Sequence, residues 1–211
     1  MGSNSNGSNV IPVHSSSPDS GFLRQLRKGE RQALSRYFDQ TAPVLLAVAM
    51  RYLSNKQDAE DIMQESLLKV LHSLDSFAPL NEQSFEAWAK KICVNQSLNF
   101  LRKKNRFIEV GDFESERIIH NQTDQTAEET ELPEQIDSLK LMDCIVQLPA
   151  GYRTVMNLYV FEGYSHKEIA ETLGISENTS KTQLHKARKF LKATVAEYSN
   201  LKSTLSYERK S

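Results

Sequence analysis

Nowhere in the 211 residues is there an apolar run near the length of about 20 that spans a bilayer, and the chain opens on a Ser-, Asn- and Gly-rich stretch rather than on positive charge followed by an apolar core. A helical membrane protein and a secreted precursor are both unexpected, and the chain reads as cytoplasmic. Cysteine is scarce: Cys93 and Cys144 lie far apart in apolar helical patterns, with neither Cys-x-x-Cys spacing nor clustered His, so a disulfide framework and a zinc site are both excluded. They read as reduced core thiols. Also lacking are a Walker glycine loop, a His-Glu-x-x-His pair, and any Cys or Ser set beside a plausible base, which leaves an enzyme without support. No cofactor and no small-molecule substrate are expected. Finally, neither sign of charge dominates, the formal net charge being -1, but the near-neutral total hides a strong local asymmetry. Basic residues gather in Lys90 to Arg106 and Lys181 to Lys192, whereas Glu109 to Glu134 is largely acidic. Nucleic acid is therefore not excluded as a partner.

What is present is organised around residues 163–192. Ser165, with Glu168 three residues on, is a capping box that opens a short helix carrying Ile169, Ala170 and Leu173 on one face, and Gly174 supplies its stop. Ile175 is then placed to tuck under the turn. Ser176 is an N-cap for a second helix, in which Ser180, Leu184, Ala187 and Leu191 form a narrow inward seam. A rotation of about 100° per residue puts Asn178, Thr182, His185 and Lys189 on the opposite face, flanked by Lys181 and Lys186. Such a pair is a helix-turn-helix whose second helix suits a DNA major groove. A solvated basic face on an ordinary bundle is the bland alternative, and the combination of two caps, a Gly stop and a three-residue turn weighs against it.

Taken in order, residues 1–20 are too polar to fold. Helical patterning starts at Phe22, Leu23 and Leu26, resumes after Gly29 with Leu34, Tyr37 and Phe38, and meets Pro43, which limits how that run continues. Val44 to Leu53 reads as a buried helix with Arg51 suited to the C-terminal end of its macrodipole. From Lys56 or Gln57 to about Leu74 a further helix turns Ile62, Leu67, Val70, Leu71 and Leu74 inward. Its acids Asp58, Glu60 and Asp61 fit the positive end of a helix, but Glu65 lies too deep for that. A paired-carboxylate metal site is set aside, because Leu68 and not His stands three residues after Glu65. Ser84 caps the next helix, through Phe85, Trp88, Ala89, Ile92, Leu98 and Leu101, which becomes basic at Arg102, Lys103, Lys104 and Arg106. Phe85 and Trp88 read as core aromatics. Asn95 interrupts the apolar pattern with a donor and acceptor able to read an unpaired base. No period holds from Phe107 to Pro133, an acidic stretch that reads as a flexible linker. Beyond it, Ile136, Leu139, Met142, Ile145 and Val146 form a helix ending at Leu148 and Pro149, a second carries Val155, Leu158, Tyr159 and Phe161 to Gly163, and the chain past Val195 is expected to fray.

Particular strings narrow the choice further. Asp58-Ala59-Glu60-Asp61-Ile62-Met63-Gln64-Glu65, then Phe85-x-x-Trp88, Ile92-Cys93-Val94-Asn95 and the basic run to Arg106, resembles the second conserved domain of bacterial extracytoplasmic-function sigma factors. Leu148-Pro149, Tyr164-Ser165-x-x-Glu168-Ile169-Ala170 and Leu173-Gly174-Ile175-Ser176 through Lys186-Ala187-Arg188 resemble their fourth. The resemblance implies an all-α protein of two small helical domains joined by a flexible acidic linker, the C-terminal one a four-helix helix-turn-helix domain. The expected divisions are 1–20 a disordered segment, 21–106 domain 2, 107–133 linker, 134–197 domain 4 and 198–211 a tail.

The roles it implies are specific to residues. Asp58, Asp61, Gln64 and Glu65 match the helix that docks on core RNA polymerase. Asn95 matches the region that captures a flipped base of the downstream promoter element; Arg102, Lys103 and Lys104 match the segment that tracks its backbone, with Trp88 and Arg106 in the same set. Thr179, Lys181, Thr182, His185 and Lys186 match recognition-helix positions near bases of the upstream element, while Arg188 and Lys189 suit phosphates. Ser180 stands where many relatives carry Val, so its hydroxyl needs a backbone carbonyl or partial exposure. The implied partners are core RNA polymerase, promoter DNA and an inhibitory anti-sigma factor. A free-standing helix-turn-helix regulator is the alternative, which the acidic helix from Asp58 argues against.

Overall fold

The computed structural model describes residues 20–77, 84–104 and 138–208, and among these every regular element is helical. Residues 1–19 of the expected disordered segment, 78–83, 105–137 with Arg106 and the whole of the linker 107–133, and 209–211 lie outside the described residues. In chain order the elements are α1 (Ser20–Arg27), α2 (Arg31–Tyr52), α3 (Lys56–His72), a 3-10 turn (Leu74–Ser76), α4 (Phe85–Lys103), α5 (Ser138–Val146), α6 (Ala150–Met156) continued by a π turn (Asn157–Phe161), α7 (His166–Leu173) and α8 (Glu177–Glu208).

The N-terminal unit is built on α2, α3 and α4, which pack on one another, with α1 laid against α2. Leu45, Ala49 and Tyr52 of α2, Ala59 and Val70 of α3, and Ala89, Cys93 and Leu101 of α4 are wholly buried at that junction. Helices α3 and α4 start on side-chain caps: Asn55 accepts from the amides of Gln57 and Asp58 at 2.8 and 3.1 Å, and Ser84 from Ala87 at 3.1 Å. Pro43 does not interrupt α2, which runs unbroken for 22 residues. A proline forfeits one backbone bond, but the apolar residues on both sides of it pack against the same two helices, and burial outweighs the local cost.

In the C-terminal unit, α5, α6 and α7 all pack on α8. The seam Ser180, Leu184, Ala187 and Leu191 is buried as its spacing requires. Instead of fraying past Val195, α8 continues as helix to Glu208. No Gly or Pro interrupts residues 177–208, so a helix already nucleated and packed at its start propagates at little cost. Of the four side chains that the helix before Gly163 carries, Val155 and Leu158 are buried, whereas Tyr159 and Phe161 are exposed on the π turn.

The two units share one continuous apolar core, because every residue of 151–158 is buried. A helix covered on all sides needs two partners, and α6 has them: α8 on one side and the C-terminal end of α2 on the other.

Candidate nucleic-acid interface

The helix-turn-helix has the local chemistry its sequence predicts. Ser165 Oγ accepts from the Glu168 amide at 3.3 Å while the Glu168 carboxylate accepts from the Ser165 amide and hydroxyl at 2.8 and 2.7 Å. These bonds hold the Glu168 carboxyl below the usual carboxylate range. Gly174 ends α7 at φ +70°, in the left-handed region, and Ser176 caps α8 through the Thr179 amide at 3.0 Å. Lys181, Thr182, His185 and Arg188 are exposed along α8, and Thr179, Lys186 and Lys189 are half-buried. The seven residues expected at the upstream element thus form one surface. Ser180 differs from expectation. Its hydroxyl is fully buried and meets His166 Nδ1 at 2.9 Å, so an imidazole from α7 takes the place of a backbone carbonyl or solvent.

In the N-terminal unit, α3 exposes Asp61, Gln64 and Glu65 on one face, with Leu68 beside them at 53% exposure. Asp58 is set apart from these three. Its two carboxylate oxygens accept from Lys104 Nζ at 3.0 and 3.1 Å, which ties an expected polymerase contact to an expected DNA contact. With side-chain exposures of 43% and 18%, the pair contributes little, on the order of 1 kcal/mol or less. On α4, Asn95 and Lys103 are exposed, and Trp88 is half-buried with its ring 4.9 Å from Phe77 and 5.8 Å from Phe85, a core aromatic with one edge toward solvent. Arg102 is exposed yet engaged: it donates to Asn99 Oδ1 at 2.8 Å and to the carbonyl of Thr172 at the end of α7.

That last bond belongs to a set of contacts between the units for which the sequence offered no expectation. Asn157 Nδ2 donates to the carbonyl of Arg51 at 2.7 Å, and Arg153 Nε to that of Tyr52 at 3.1 Å, so α6 supplies caps for the last carbonyls of α2. Arg51 in turn pairs with Glu162 at 2.8 Å, both largely buried, and lies over the Phe161 ring at 4.5 Å. Burial pushes the Glu162 carboxyl above its ordinary value, opposed by Arg51 and Lys90. Arg51 is thus more than a cation at a helix terminus. The available signal was the placing of Arg153 and Asn157 four residues apart in a largely apolar helix.

Residues 37–107 match the family model of sigma-70 region 2, and residues 138–191 that of sigma-70, region 4. RNA polymerase sigma factor SigV of Bacillus subtilis is 34% identical over 69% of this chain and 80% of its own length, and ECF RNA polymerase sigma factor SigW of the same organism is 30% identical over 81% and 92%. The chain belongs to the ECF sigma factors of RNA polymerase. Its function is accordingly promoter-directed initiation of transcription with RNA polymerase. Among solved structures, sigma factor RpoE in complex with the anti-sigma factor NepR from Bartonella quintana is 23% identical, covering 77% of this chain and 96% of that one at a TM-score of 0.45. Among the described residues no helix is long and apolar enough to cross a membrane, and no group of His, Cys, Asp and Glu is placed to hold a metal ion.

Proposed function

We propose that residues 21–106 dock on core RNA polymerase through the exposed face of α3 and take the downstream promoter element on α4, while residues 134–197 take the upstream element on α8. The observation that carries this reading is the division of chemistry over the surface. Asp61, Gln64 and Glu65 present an acidic face on one helix, and Lys103 on α4 and Lys181 and Arg188 on α8 present basic faces elsewhere. A protein that must hold a basic protein surface and DNA phosphates at once needs both signs, kept apart. An operator-binding regulator has no use for the acidic face.

In this reading Asn95 receives the extruded base, Lys103 and Lys104 with Arg102 and Arg106 follow the backbone, Trp88 supports that surface from the aromatic cluster, and the linker 107–133 follows a positively charged channel. Thr179, Lys181, Thr182, His185 and Lys186 face upstream bases, with Arg188 and Lys189 on phosphates. The protein acts in the cytoplasm as a regulatory subunit without catalytic residues of its own, and an anti-sigma factor is its inhibitory partner. Run-off transcription with purified core polymerase on genomic promoter fragments is the test. Specific transcripts that need both proteins are expected, and transcription by core unchanged by the added chain rejects the reading.

A further inference from the structure

His166 is the first residue of α7, and three elements meet at its ring. The face of the imidazole stacks on Tyr159 of the π turn, with centroids 4.8 Å apart and planes inclined by 25°. Nδ1 meets the hydroxyl of Ser180, which is wholly buried in the seam of α8. The guanidinium of Arg188, also on α8, lies 5.9 Å from the centre of the same Tyr159 ring. A helix seam filled with apolar groups permits small rotations and slides, because dispersion contacts have no direction. A hydrogen bond at one point of the seam, with a stacked ring behind it, does have direction, and it fixes which side chains α8 turns outward.

We propose that His166 is a positioning residue for the recognition helix, setting the seat of α8 through Ser180 and Tyr159 and making upstream DNA binding tighten as pH falls. The inference rests on the reading of α8 as the upstream DNA-binding helix. The ring can hold Ser180 in either charge state, because neutral Nδ1 can accept from the hydroxyl and imidazolium Nδ1–H can donate to its oxygen. What changes is charge. The groups facing the ring are Lys181, Arg188 and Glu177 on α8 and the neutral Tyr159 on the π turn; burial, then Lys181 and Arg188, hold the imidazole below its ordinary value, with Glu177 opposing. Phosphates that neutralise Lys181 and Arg188 remove part of that repulsion. The proton is then held more tightly in the complex than in the free chain, so binding takes one up, and affinity rises as pH falls through the interval between the two values.

The test has one arm without DNA and one with it. In the full chain, the imidazole nitrogen NMR resonances of His166 are compared with those in Ser180→Val; a displaced Nδ1 resonance is expected, and identical resonances would mean that no bond exists in solution and overturn the inference whatever the DNA does. In the second arm, closed-complex affinity of the holoenzyme for promoter duplex is measured between about pH 5.5 and 7.5. A tightening of about three-fold is expected for the natural chain and for His185→Gln, and a flat response for His166→Gln. His166→Phe removes the bond and weakens binding by about five-fold, the scale of one net hydrogen bond, and adding Ser180→Val to it restores the affinity without restoring the pH response. A pH response unchanged in His166→Gln, or lost only in His185→Gln, rejects the proposal while leaving α8 as the DNA-binding helix. Failure of the natural holoenzyme to bind any duplex from a random pool rejects that underlying reading instead.

Discussion

Asp61 and Glu65 stand one turn apart on the exposed face of α3, where no neighbour in the core depends on their charge. Reversing both, Asp61→Lys with Glu65→Lys, is expected to abolish binding to core polymerase in a native gel shift while circular dichroism stays unchanged. Retained helicity with natural affinity would remove these residues from the docking surface. Asp58 is a different case, since its carboxylate already holds Lys104, and the weakness of that exposed pair leaves both groups exchangeable for stronger partners. On α8 the same residue-level logic separates two kinds of cation. Lys181→Ala is expected to cost roughly 1 to 3 kcal/mol at a preferred upstream element and to relax its sequence, whereas Arg188→Ala weakens all sequences alike and lowers the salt slope by about one. Selection on randomised promoters at two salt concentrations distinguishes them.

At the scale of elements, α7 depends on its first turn. It has only eight residues, too few to be stable by propensity, so the reciprocal Ser165 and Glu168 bonds and the Gly174 stop define it. Ser165→Ala is expected to destabilise the chain by about 1 kcal/mol in urea unfolding. The Glu168 part of the box is linked to pH: its folded-state value is depressed, so the contribution is present above the ordinary carboxylate value of 4.5 and is lost as pH falls through the lower, folded value. Glu168→Gln should flatten this part of the acid-unfolding profile. The opposite lesson comes from α2, where Pro43 breaks a local rule and the helix persists, because packing on α3 and α4 on both sides of it supplies more than one lost backbone bond.

For the whole molecule, the decisive feature is that α6 caps α2 from the other unit. Arg153 and Asn157 are buried: Arg153 Nε and Asn157 Nδ2 donate to the Tyr52 and Arg51 carbonyls, while Arg153 Nη1 donates to the Val146 and Leu148 carbonyls of its own unit, so each substitution leaves backbone acceptors unpaired in a closed interface. Arg153→Ala combined with Asn157→Ala is expected to separate the units and increase the radius of gyration in small-angle scattering, with each unit keeping its helices. Glu162 adds a proton dependence. Because burial raises its value in the docked arrangement, docking binds the proton more tightly than separation does; its contribution is fully present below the ordinary carboxylate value and is lost as pH rises through the raised one. Arg51→Ala leaves that carboxylate buried without its cation, raises the value further, and should make the units separate at neutral pH and rejoin on acidification, as read by energy transfer between labels on the two units.

The helix-turn-helix, its caps, the buried seam of α8, the outward carboxylates of α3, and through them the family, were legible in the amino-acid sequence because each depends on residues within about two turns of one another, where period and capping chemistry act directly. The course of α2 through Pro43, the continuation of α8 to Glu208, the Ser180 bond to His166 and the pairing of Asp58 with Lys104 were decided only in the folded chain. So was the docking of the units, whose polar contacts join residues 70 to 111 positions apart, from Arg102 with Thr172 to Arg51 with Glu162. No periodic pattern registers such pairs. An arginine in a buried helix announces that it must find acceptors; Arg153 meets the Val146 and Leu148 carbonyls close by in the chain, and only the packing of α6 against the end of α2 adds that of Tyr52.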